Sequence, residues 1–139
     1  MRSTVSDLVD NARANLEIAR RLVLMGCGGF GASSAQLTMR LLAAALLFER
    51  TGKMHSDPRI LAAELRRVFE GQLDAAVIQH VEDSASLELG PETVDYHPPP
   101  SIDRARDEVN RAQAFLGDVV GILRLPPETA RISTPPASR

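Results

Sequence analysis

Arg50 and His55 stand in the pattern R-x4-H, a spacing used by some metal-independent ribonucleases. In such a pair the histidine can serve as acid or base for attack by a 2′-hydroxyl. The arginine can stabilise the charge that gathers on phosphorus. The chain carries 16 lysines and arginines and 3 histidines, so about one pair at this spacing arises by chance. The two residues straddle Gly52 at the end of a helical pattern, where a surface loop is the plainer reading. Arg40 interrupts an otherwise apolar run, and with Ser33, Gln36 and Leu47 it defines one slightly polar edge. Its side chain either reaches solvent or a neighbouring carboxylate, or it marks a subunit interface or binding cleft.

Other motifs offer less. Gly26, Gly28 and Gly31 spell G-x-G-x-x-G, but a dinucleotide-binding turn needs a strand before it and a parallel strand after its helix. Here the preceding residues continue a helical period and no strand follows, so a turn between helices is expected. Arginines recur at seven residues as Arg13/Arg20, Arg59/Arg66 and Arg104/Arg111, a basic stripe suited to phosphates if the faces adjoin. Glu17, Glu64, Asp107 and Glu108 lie among them, which makes ordinary solvated faces the expectation. His80 and His97 lack the partners of a metal site, and Cys27 is alone. No metal and no cofactor are expected.

The elements that must position these residues are helical. Val5, Leu8, Val9, Ala12, Leu16, Ala19, Leu22 and Val23 step by three and four, predicting a first helix from about Thr4 to Leu24. The glycines from Gly26 to Gly31 are expected to stop it. A second helix is predicted over Ala32 to Thr51, with Ser33 or Ser34 as N-cap and Gly52 as stop. From Leu37 to Phe48 it is apolar on nearly all sides, so other helices must surround it. Asp57 and Pro58 open a third helix, whose buried stripe is Leu61, Leu65, Val68 and Phe69, before Gly71. A fourth begins near Leu73 with Ala76, Val77, Val81 and Ala85 inward, fading before Gly90. After a loop to Pro100, Ser101 caps a fifth helix to about Leu125. Its seam is Ile102, Ala105, Val109, Ala112, Leu116, Val119 and Leu123.

The expected fold is all-α, an antiparallel helical bundle of about five helices over residues 1–125, with a Pro-rich, disordered tail over 126–139. A chain of 139 residues, 44% hydrophobic and 24% charged, matches one ordinary globular domain. A net charge of −2 supplies no global field toward nucleic acid or membrane. The longest apolar run, Leu41 to Phe48, is too short to span a bilayer. A cytoplasmic setting and no membrane partner are expected.

With the elements in order, the chain resembles HEPN-domain proteins, the small helical-bundle family often encoded beside minimal nucleotidyltransferases. The resemblance covers roughly Asp7 to Leu123. It rests on ANLEIARRLV in the first helix, S-x-A followed by LLAAALLFERTG in the second, and His55 opening the next link. FEGQLD, VDY before a proline-bearing loop, and RARDEVNRAQAFLGDVVGIL complete it. The resemblance implies an antiparallel bundle, commonly a homodimer with a groove between subunits. Active members are endoribonucleases, often of toxin–antitoxin systems, with an R-x4-6-H motif near the later helices. No arginine lies four to six residues before His80 or His97, and Arg50–His55 falls before the third helix, so that pair does not carry over. Asp95-Tyr96 does match the D-Y of many non-catalytic, nucleotidyltransferase-associated relatives. Tyr96 is the single tyrosine, hence the only tyrosine a partner could modify. Its plainer role is a phenol packed on the bundle.

The function this implies is a non-catalytic binding or partner module. It would act with a nucleotidyltransferase or another small protein and bind nucleotide or RNA. The alternative is a metal-independent endoribonuclease of toxin–antitoxin type using Arg40 or Arg50 with His55, plus Asp95 and Tyr96. The sequence leaves open whether the chain is an enzyme.

Overall fold

The computed structural model describes residues 3–84 and 101–125. The expected positions Asp95, Tyr96 and His97 and the tail 126–139 lie outside the described residues. The five described helices are α1 (Thr4–Leu24), α2 (Gly28–Thr51), α3 (Pro58–Val68), α4 (Ala75–Asp83) and α5 (Ile102–Leu123). There is no strand among the described residues. The fold is an all-α helical bundle.

Short polar side chains start four of the helices. Ser3 accepts from the Ser6 N–H at 3.0 Å, Asp57 from Arg59 at 2.9 Å, Asp74 from Ala76 at 2.9 Å and Ser101 from Arg104 at 3.1 Å. Each satisfies one of the donors a helix leaves open at its first turn, typically for about 1 kcal/mol. Pro58 follows its cap at the first helical position, where a missing N–H costs nothing.

The glycine segment differs from expectation. Only Met25 to Cys27 form the turn, and Gly28 to Gly31 are already the first turn of α2. Neither Ser33 nor Ser34 is the cap: Cys27 holds that position and makes no side-chain cap bond. α1 ends in a Schellman turn, with Gly26 at φ +82. The Gly26 N–H bonds to Val23 O at 3.0 Å and the Cys27 N–H to Leu22 O at 2.8 Å. Packing then keeps the next glycines helical. A Cβ on Gly31 would stand 2.7 Å from Val23 Cγ2 and 3.3 Å from the Ala19 carbonyl oxygen. The residue without a side chain lets α2 lie close on α1, which offsets the roughly 1 kcal/mol of helix propensity a glycine gives up.

α2 is the centre of the bundle and touches each of the other four helices. Six consecutive residues, Leu42 to Leu47, are buried, which requires neighbours around more than one face. By length and composition α2 could cross a membrane, yet 67% of its most apolar window is buried inside the bundle, the condition of a core helix. Leu16 of α1, Leu61 and Leu65 of α3, Ile78 and Val81 of α4, and Ala112, Phe115 and Val119 of α5 close around it.

Two further boundaries shift. α4 starts at Ala75, and its inward side is Ile78 and Val81, with Ala76 exposed. α5 stops at Leu123, where Arg124 adopts the left-handed conformation at φ 57 and the Leu125 N–H reaches Val120 O at 3.0 Å.

Candidate functional site

On α5 a second stripe runs beside the expected seam. Arg104, Glu108, Arg111 and Phe115 follow steps of four, three and four, so they share one flank of the helix. Phe115 is fully buried and anchors that flank in the core. Glu108 one rung up is also buried, with only 5% of its surface exposed, whereas Arg104 and Arg111 stay exposed. A buried carboxylate needs a partner. It finds one in His80 of α4, whose Nε2 lies 2.5 Å from Glu108 Oε1.

The histidine is held at both ring nitrogens. An Arg111 guanidinium nitrogen stands 2.9 Å from Nδ1. Arginine can only donate, so Nδ1 accepts, and Nε2–H donates to Glu108. α4 is fixed on its outer side as well. Arg66 of α3 pairs with Glu82 at 2.7 Å and donates to Gln79 at 3.1 Å, and Gln79 in turn donates to Asp83 at 2.9 Å. This chain orients α4 so that His80 faces α5.

These side chains border a polar cleft of about 300 Å³ between α2, α4 and α5. Its lining adds Gln36, Asp83, Ser84 and Asp107 to His80, Glu108, Arg104 and Arg111. Ser84 is buried and donates to Val81 O at 2.7 Å. The arrangement supplies two exposed arginines for an anion, carboxylates able to accept from hydroxyls, and a neutral amide at the floor. It offers no free imidazole nitrogen while Arg111 rests on His80. Among the described residues no three His, Cys, Asp or Glu side chains converge as metal ligands would.

The sequence-derived candidates fall elsewhere. Arg50 stacks over the Phe69 ring at 4.4 Å from its centroid. No hydrogen bond or ion pair joins it to His55 among the described residues, so the R-x4-H spacing does not assemble an Arg–His pair. His55, half-buried in the α2–α3 link, adds its charge to the surroundings of Glu64. Arg40 lies one turn beyond Gln36 on α2, half-buried and outside the cleft lining, and burial lowers its pKa from the usual guanidinium value. The pair that does form is His80–Arg111, which comes from two helices and has no sequence spacing to betray it. Two signals were present: a glutamate one step from Val109 in an otherwise apolar seam, and a glutamine in an apolar helix.

Near His55 a separate ion pair sets a pH test. Arg67 donates to Glu64 at 2.6 and 3.3 Å. That hydrogen bond holds the Glu64 carboxyl below the usual carboxylate range; partial burial opposes the effect, and the charges of Arg67, His55 and Lys53 add to it. A carboxyl depressed in the folded state stabilises above its unfolded pKa, and the contribution is lost as pH falls through the folded value. Arg67→Ala should return Glu64 toward its ordinary titration in an NMR pH series. The small stability gap between the two proteins should close in acid, as befits an exposed pair.

No family model, no curated protein and no solved structure matches this chain.

Proposed function

We propose that this bundle is a binding module that takes a phosphate-bearing ligand, nucleotide or RNA, in the α2–α4–α5 cleft without cutting it. The observation that carries the reading is the His80–Glu108–Arg111 contact at the cleft mouth. Arg111 is exposed and docked on a neutral ring, a bond it can exchange for the stronger, charge-assisted bond to a phosphate oxygen. Arg104, two turns earlier on the same flank, supplies a second guanidinium. Both ring nitrogens of His80 are engaged, which supports holding over proton transfer. The resemblance to HEPN-domain proteins agrees with a non-catalytic partner module, and it alone carries the further proposals of a small nucleotidyltransferase partner and a homodimer.

Thermal stabilisation and calorimetry on the full chain with nucleoside monophosphates and a short RNA test this. One of these ligands should raise the melting temperature, and Arg111→Ala should weaken its binding about tenfold or more, the worth of one charged hydrogen bond. Arg111 lies on the surface, so circular dichroism of the variant should match that of the wild type. Binding that ignores Arg111→Ala would sink the assignment.

A ribonuclease is the second reading, favoured by the same contact, since arginine and histidine meet here at hydrogen-bond distance. If an anion draws Arg111 away, Nδ1 becomes free to exchange a proton with a 2′-hydroxyl. RNA cleavage that is lost in His80→Ala and kept in His55→Ala would select this reading over the first.

A further inference from the structure

Gln36 is a polar side chain more than nine-tenths buried at the edge of the core. It lies on the bundle's most apolar helix with 7% of its surface exposed, and that exposed part faces the cleft. Its amide makes no hydrogen bond with any described residue. One turn earlier stands buried Ala32, one turn later half-buried Arg40 and two turns later buried Ala43, so Gln36 lies where the buried row meets the polar edge. Its amide N and O are not among the described polar atoms sealed from solvent without a partner, so they open onto the cleft, where water or a ligand answers them. A carboxamide that makes no bond within the described fold and opens onto a cleft is placed to bond a ligand there.

We propose that Gln36 is the specificity-determining residue of the cleft, reading a donor–acceptor edge on the ligand, and that the ligand is a single nucleotide whose base presents that edge. This rests on the cleft reading above. A carboxamide sets one acceptor oxygen beside an NH2 donor, the complement of an exocyclic amine next to a ring nitrogen, or of a ring N–H next to a carbonyl. The other cleft groups fit the remaining parts. Arg104 and Arg111 sit ~10 Å apart along α5 at the helical rise per residue and offer guanidinium groups to the phosphate. Asp83 and Asp107 also line the cleft, with oxygens able to accept from ribose hydroxyls, a role carboxylates take in nucleotide sites. The same carboxylates repel the successive phosphates of a strand, which favours one nucleotide over a polymer. A cleft of about 300 Å³ lies at the small end of ligand sites and holds a ligand of that size.

The test is calorimetric binding to the full chain of AMP, GMP, CMP and UMP, with ribose 5-phosphate as the probe that lacks a base. Wild-type protein should bind at least one of the four tenfold or more tightly than ribose 5-phosphate. Gln36→Met, which keeps length and removes the amide, should erase that preference and leave ribose 5-phosphate binding within twofold. Its melting temperature should match that of the wild type to within about 3 °C, which shows that the variant folds. Gln36→Glu serves as a second probe: it keeps the shape, removes the donor, and should lose the preference too. If ribose 5-phosphate and all four nucleotides bind alike and all weaken in Arg111→Ala, the cleft binds phosphate and the role of Gln36 is wrong. If Gln36→Met keeps the base preference, the role is likewise wrong. If nothing binds, both this inference and the cleft reading fall.

Discussion

Replacing His80 by alanine should lower the unfolding free energy by about 3 kcal/mol, seen as a lower urea midpoint at unchanged slope. The substitution itself removes little apolar surface. Its effect comes from what it leaves behind: the Glu108 carboxylate, 5% exposed, loses the ring N–H that it accepts from. Breaking a buried pair from one side strands the remaining charge, which is costlier than removing both partners. Glu108→Met in the His80→Ala background should therefore recover most of the loss. Glu108→Gln alone keeps an acceptor for the Nε2–H and should cost about 1 kcal/mol. A His80→Ala protein within about 0.5 kcal/mol of wild type, the range of ordinary surface substitutions, would mean that the pair is not buried as described.

The second large effect belongs to α2. Leu46→Ala should destabilise by about 3 kcal/mol, within the range for emptying a leucine site that cannot collapse. Leu46 is fully buried, and so are both its sequence neighbours, Ala45 and Leu47. Walls built by separate helices give such a site little freedom to close. Leu37 is on the same helix but 40% exposed, and Leu37→Ala should cost under about 1 kcal/mol, since little surface there has left water. Chemical denaturation of the two variants side by side checks the contrast. Similar losses at both positions would show that α2 is not enclosed.

The helices were legible because their signals are local. Asp57 and Ser101 cap from the side chain as their positions suggest, and apolar residues at three- and four-residue steps mark the buried faces. The start of α2 was not legible, because glycine propensity argues against helix, and the reason for glycine lies across the turn in Val23 and Ala19. The site was legible only in fragments. Arg50 and His55 have a suggestive spacing, yet geometry sends Arg50 to Phe69. His80 and Arg111 have none, and they meet because their side chains reach toward each other from α4 and α5, two helices that both pack on α2. Gln36 stands out in the sequence on the polar edge with Arg40, and Glu108 as an acid among the arginines; what they face depends on tertiary packing that no single helix encodes.

The tight seat of Gly31 on α1 also bears on the order in which the molecule forms. α1 and α2 are joined by only Met25 to Cys27, so their contact closes a short loop at small entropic cost. The cleft instead needs His80 and Glu108 to find each other across 28 positions, a longer closure that native contacts reward only afterwards. During synthesis the N-terminal segments also emerge first. A growing chain can therefore bring α1 and α2 together before it holds Arg104, Glu108 or Arg111. The cleft takes shape only with α5, the last described helix.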